Sequence, residues 1–250
     1  MLLNVLLTTQ GGTKMNFAQL PLLGRDKPAI NATLSQAVRT DLGSGAWFDH
    51  LPGWVAGHQT LFCELADRLP WQAQQRAMYD RVVDVPRLVA SVARDQLDLP
   101  IVERMARLLG DHYSYPIERV GFARYRDGQD SVAWHAETEM EHWDESIVAL
   151  VSLGEPRRFM LRPRGGGASF GFNVGWGDLV VMGGSCQMHF EHCVPKQSQA
   201  GERISVAFRQ ARPTPRLGRW AGGPPARRQV SPPTFPSRIE PSVEQILRAG

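Results

Sequence analysis

The sequence predicts a mainly β, α+β domain with helices flanking layers of strands. Three observations carry this. Short apolar runs of strand length, separated by glycine and proline turn signals, fill the second half of the chain. Helical periodicity is confined to two stretches in the first half. The 250 residues, 42% of them hydrophobic, suffice for one sizeable β-rich core.

Taken in order, the opening MLLNVLLTTQGGTKMNF carries an apolar run too short to span a membrane, with no positive residue before it to make a signal peptide. No membrane association is expected, and Met15 is a second candidate start. Residues 1–34 are read as a partly disordered extension. Ser35 to Trp54 reads as turns around a short strand. Leu61, Phe62, Leu65, Ala66 and Leu69 recur at helical spacing, so Gly57 to Leu69 is an amphipathic helix stopped by Pro70. Trp71 to Arg81 is polar with an embedded aromatic, as in a surface β-hairpin. Ile101, Met105, Leu108 and Leu109 predict a second helix over Pro100 to Tyr113, packed outside the strands.

Strands follow from Val120. Ile147 to Val151 is too apolar to be half exposed and is expected to be buried on both faces. Arg157 to Arg162 alternates as a partly exposed strand would, Arg164 to Gly167 is a turn, and Gly177-Asp178 opens another buried strand. After Gln210, ARPTPRLGRWAGGPPARRQVSPPTFPSR cannot bury enough apolar surface to offset its ordering entropy, so 211–250 is expected to be a largely disordered, proline- and arginine-rich tail. Its basic residues suit either an arm touching nucleic-acid backbone through charge or a solvated tail.

Net charge is +3 and the pI about 9.0, which permits a polyanionic partner without requiring one. Lys14, Lys27 and Lys196 are the only lysines. The basic side is therefore arginine, the better fork for phosphate and carboxylate. Cys63, Cys186 and Cys193 form no Cys-x-x-Cys pair, which argues against a disulfide framework or zinc knuckle and for a reducing cytoplasm. Cys193 reads as packing.

Chemistry concentrates in VGFARYRDGQDSVAWHAETEME, residues 120–141. On an extended strand, His135 and Glu137 emerge on one face. A second histidine from a distant strand, His192, would complete the facial set of two nitrogens and one oxygen used by non-haem Fe(II). In Arg203 to Arg209, period two places Arg203, Ser205, Ala207 and Arg209 on one face, and Ile204, Val206 and Phe208 on the other. Two arginines and two small residues make a pocket wall.

Tyr125 to His135, Val151 to Gly154, Gly177 to Met182, His192 to Lys196 and the closing Arg203 to Arg209 together resemble the AlkB family of 2-oxoglutarate- and Fe(II)-dependent dioxygenases, over roughly Trp71 to Gln210. The resemblance implies a double-stranded β-helix (jelly-roll) core over 35–210 with a nucleotide-recognition lid. It further implies Fe(II) on His135, Glu137 and His192, and 2-oxoglutarate held by Tyr125, by Arg209 at the carboxylate near the metal and by Arg203 at the distal one. Dioxygen is the oxidant. The implied reaction is demethylation of N-alkylated bases in DNA or RNA, releasing formaldehyde, succinate and CO2 from a protein that works as a monomer. Substrate contacts would come from Tyr79, stacking on a base, Arg76 and Arg81 at phosphates, Trp134, and Glu139 at an exocyclic amino group.

The sequence departs from the family at three positions. The family's aspartate is Glu137, and two of its asparagines are Ala123 and Ser205. Two alternatives stay open: a nucleic-acid-binding protein without turnover on the same scaffold, and an oxygenase acting on a protein or small molecule.

Overall fold

The structure, a computed structural model, describes residues 26–211 except 32, 79–80 and 93–97. The expected tail from 212 and the first 25 residues lie outside these, as does Tyr79. β1 (Ala29–Ile30) pairs with β4 (Val55–Ala56), so the stretch read as an extension contributes a strand. Between them, β2 (Val38–Gly43) and β3 (Ala46–Leu51) form a hairpin turning through Gly43, Ser44 and Gly45, all at positive φ. One short strand was expected here, because Asp49 masks the pattern. Asp49 is buried, and its carboxylate is satisfied from elsewhere: Arg39 forks it with two bonds of 2.7 Å and the Tyr113 hydroxyl donates at 3.0 Å.

Both helices form at the expected places. α1 (His58–Arg68) buries Leu61, Phe62 and Leu65. It starts at Gly57 because φ there is 60° and a Cβ would strike the backbone carbonyl of Asp26 at 2.6 Å. β5 (Gln72–Met78) and β6 (Arg81–Ser91) make the next hairpin. α2 (Pro100–Tyr113) has its proline at the first turn, where the missing N–H costs nothing, and buries Val102, Met105, Ala106 and Leu109.

Eight strands then pass back and forth between two sheets, with β10 and β11 a hairpin within one: β7 (Ile117–Tyr125), β8 (Val132–His135), β9 (Ser146–Gly154), β10 (Arg157–Pro163), β11 (Phe170–Val174), β12 (Asp178–Gly184), β13 (Phe190–Val194) and β14 (Arg203–Gln210), with the one-turn helix α3 (Cys186–His189) before β13. The major sheet runs β2-β3-β12-β9-β14-β7-β6-β5 and the minor sheet β11-β10-β13-β8. Every strand pairing among the described residues of both sheets is antiparallel. This is a jelly-roll, as expected.

The core has two layers. Between the sheets lie Phe48, Val148, Leu150, Phe159, Leu161, Val180, Met182 and Phe190. On the outer face of the major sheet, Ile147, Ala149, Val151, Leu153, Ile204, Val206 and Phe208 pack with α1 and α2. β9 serves both layers, and all nine of its residues are buried. Register positions the site: His192 stands opposite His135 across β13 and β8, while Arg203 faces Tyr125 and Ser205 faces Ala123 across β14 and β7.

Candidate metal and co-substrate site

His135, Glu137 and His192 each bring one ligating atom to within 4.8 Å of the others. The two histidines meet because they are cross-strand partners, their ring centroids 4.2 Å apart. Glu137 arrives differently from the sequence reading. β8 ends at His135, so strand alternation does not aim the carboxylate. The ladder between β8 and β13 ends at the His135–His192 pair, and the Glu137 N–H instead donates to the Gln187 Oε1 of α3 at 2.9 Å.

The histidines are in a state that suits a cation. His135 Nδ1 lies 2.9 Å from the Ala133 carbonyl oxygen, which can only accept. Nδ1 is therefore the donor, which in the neutral ring leaves the Nε2 lone pair for a cation. His192 is buried, its Nδ1 has no partner among the described residues, and burial first, then His135 and Arg209, push its pKa well below the ordinary 6.5. It is neutral at pH 7. Burial alone would raise the Glu137 pKa, but the Arg209 guanidinium overrides this and holds the carboxyl below its ordinary range. The residues thus offer two imidazoles, that of His192 kept neutral by burial, and one carboxylate, a donor set that fits Fe(II).

A cost follows for the metal-free protein. Below about pH 6.5 the unfolded chain takes up a proton on this histidine that the folded site refuses, so stability falls with falling pH, by at most about 1.4 kcal/mol per pH unit. Melting curves of chelator-treated protein across this range should show that slope, and His192→Leu should flatten it.

The three groups line a cavity of about 240 Å³ between the sheets. All four residues of the expected pocket wall, Arg203, Ser205, Ala207 and Arg209, line it, together with Tyr125 and Ala123. Arg209 Nε and Nη2 fork the Glu137 carboxylate at 2.9 and 2.8 Å. Gly121, opposite Ala207, leaves room for that guanidinium, since a Cβ there would come within 3.3 Å of Arg209 Nη1. Arg203 is 1% exposed; its Nη2 donates to Ser152 Oγ at 2.7 Å, while Nε and Nη1 have no hydrogen-bond partner among the described residues. Burial lowers its pKa. A buried cation with two idle donors against a cavity is a receptor for an anion.

Two expected substrate residues are not brought to the cavity. Trp134 does not line it; its ring stacks with the Arg162 guanidinium at 4.1 Å, because the neighbour of an inward-pointing histidine on a strand points outward. Glu139 is over half exposed and pairs with Arg119 at 2.6 Å, because the chain turns over residues 138–140. The side chains of Arg76 and Arg81 lie outside the described ones. The polar residues that the β5–β6 hairpin places at the cavity are instead Gln74, Arg87 and Ser91. No sequence signal distinguished them from an ordinary exposed strand. Gln187 was also missed, as its role depends on a contact 50 residues away. Cys193 is packing, as read: it is buried, and burial pushes its thiol up to about 11.

Comparison with known proteins agrees with this geometry. The family model of the 2OG-Fe(II) oxygenase superfamily matches residues 57–209. Alpha-ketoglutarate-dependent dioxygenase alkB homolog 3 of Bos taurus is 25% identical over 193 residues, 68% of this chain and 68% of that protein. The DNA oxidative demethylase ALKBH2 of Arabidopsis thaliana is 31% identical over 216 residues, again 68% of each. The mouse alkB homolog 3 is matched over 61% of its length, so the chain spans about two thirds of these curated relatives. Among solved structures, that of OsALKBH1 superposes with a TM-score of 0.49 at 12% identity, covering 70% of this chain and all of the other. With a two-histidine, one-carboxylate cluster lining a jelly-roll cavity and a family match over more than half its length, the chain belongs to the 2OG-Fe(II) oxygenase superfamily and is homologous to the AlkB proteins.

Proposed function

We propose that this dioxygenase oxidatively demethylates N-alkylated bases in DNA or RNA. The observation that carries the reading is the 31% identity, over 68% of the chain, to a protein named as a DNA oxidative demethylase. Membership of the superfamily brings Fe(II), 2-oxoglutarate and dioxygen as cofactor and co-substrates. His135, Glu137 and His192 would hold the iron, which, once bound with 2-oxoglutarate, supplies C–H oxidation coupled to loss of CO2 and formation of succinate.

The chain's own residues do the rest. Arg203 receives the distal carboxylate of 2-oxoglutarate on its two idle donors, and Tyr125 lies beside it, its ring centroid 5.2 Å from the guanidinium carbon. Arg209 keeps the Glu137 carboxylate ionised and fixed, and places positive charge next to the carboxylate nearer the metal. Phe122, Leu150 and Phe159 give the cavity an apolar wall. A methyl on a ring nitrogen lies on the pairing edge of a base, so the nucleotide enters single-stranded or flipped. Gln74 and Arg87 are then the polar groups at hand to read it.

The test is anaerobically loaded protein exposed to air with a 1-methyladenine or 3-methylcytosine oligonucleotide, following formaldehyde and succinate together. Both products are expected, and His135→Ala should abolish both. Succinate without formaldehyde would reassign the enzyme to another substrate class.

A further inference from the structure

Arg157, at the first position of β10, is fully buried yet does not line the cavity. Its guanidinium is spread over two loops. Nη1 donates to the Asp127 carbonyl and Nη2 to that of Asp130, both at 2.7 Å. Nη2 also reaches the Pro195 carbonyl at 3.1 Å, and Nε the Gln197 side-chain oxygen at 3.1 Å. The first loop joins Tyr125 to β8 and so sets where His135 emerges. The second follows β13, and so fixes the strand end that carries His192.

Other contacts make the two loops one unit. Gln197 N–H donates to the Gly128 carbonyl at 2.9 Å, and a Cβ at residue 128 would run into the Gln197 carbonyl. The Asp130 carboxylate takes the Arg126 N–H and the Nε–Nη2 edge of its guanidinium, each at 2.8 Å. Ser131 N–H donates to the Pro86 carbonyl at 2.7 Å, fastening the same loop to β6. Arg157 itself stands 5.5 Å from the centroid of the Tyr125 ring, which has Arg203 as its other cationic neighbour.

Burying a guanidinium on four uncharged acceptors is costly, and hydrophobic residues with bound water would close two loops at lower cost. What the planar fork adds is fixed direction at several acceptors at once, which a lysine ammonium does not reproduce. We propose that Arg157 is a positioning residue, locking His135, His192 and Tyr125 into the geometry that binds metal and 2-oxoglutarate together. The proposal rests on the ligand roles given above.

The test titrates anaerobic protein with Fe(II) and with 2-oxoglutarate, following the visible charge-transfer absorption of the chelate, with thermal melting alongside. Partners that orient metal ligands from behind are typically worth about 10- to 100-fold in metal affinity. Arg157→Gln should therefore weaken both metal and 2-oxoglutarate binding by about tenfold, with Arg157→Lys intermediate. Gly128→Ala, which pushes the loops apart without touching the arginine, should reproduce the loss. A lowered melting temperature with wild-type dissociation constants would overturn the proposal and leave Arg157 purely structural. If Arg157→Gln does not fold, Gln197→Ala decides by the same titration: weakened binding supports the role and unchanged binding refutes it. Absence of the absorption in the wild-type protein would remove the ligand reading and this inference with it.

Discussion

Replacing Arg203 with methionine is expected to weaken 2-oxoglutarate binding by about 100-fold while leaving the metal-free protein no less stable, and measurably more stable if packing is kept. The two effects have one cause. In the free protein the guanidinium is buried with two donors unpaired and its pKa lowered by that burial, so the fold bears an uncompensated charge. A carboxylate arriving in the cavity supplies the missing partner. Charge-assisted hydrogen bonds in such a setting are worth about 1.5–3 kcal/mol, and the upper half of that range is a factor of about 100 in affinity. Methionine fills a similar volume without a polar atom. Calorimetric titration of 2-oxoglutarate onto the anaerobic Fe(II) protein, beside melting curves of the metal-free variant, reads both quantities. An unchanged dissociation constant would mean that the co-substrate lies elsewhere in the cavity.

Glu137→Gln should have the opposite signature in stability. Here the arginine on the same strand face, Arg209, is already partnered, by two bonds of 2.8–2.9 Å to Glu137. The amide cannot carry the charge and leaves Arg209 half satisfied. Both side chains are partly solvated, 25% and 18% exposed, so the loss is discounted from that of a fully buried pair to about 2 kcal/mol. For a domain of this size that is a fall of roughly 4–8 °C in melting temperature. Metal affinity falls as well, by 100-fold or more, because the anionic oxygen of the facial set is gone. Mn(II) titration followed by electron paramagnetic resonance measures that loss without relying on turnover. Unaltered Mn(II) affinity would remove Glu137 from the ligand set. Two arginines six residues apart on β14 thus predict stability changes of different sign when the charge balance at each is disturbed, since one waits for its counter-charge and the other holds it.

Asp49 and Arg157 mark where pattern reading runs out. Each is a charged residue inside a buried segment whose partners lie far away in sequence: Arg39 and Tyr113 for the first, two loops for the second. A polar letter inside a strand lowers the periodic signal whether it is exposed or buried and satisfied. Only the partner tells the two apart, so one strand was read where there are two, and Arg157 was read as part of a half-exposed alternation.

The jelly-roll was implied by the family resemblance; by itself, the sequence determined the mainly β class, both helices, the doubly buried β9 and the division of β14 into a pocket face and a core face. Each of these is a local period imposed by burial, and burial leaves its mark on composition residue by residue. It also named the two histidines and the carboxylate, through order and residue type. How they meet was decided by the tertiary structure: register sets His135 against His192, while Gln187 and Arg209, from distant elements, hold a Glu137 that lies beyond the end of its strand. Tertiary structure also turned Trp134 and Glu139 away from the cavity and put Gln74 and Arg87 there, because which side of a loop or hairpin faces a cavity depends on sheet order and turn direction, and neither has a period to read.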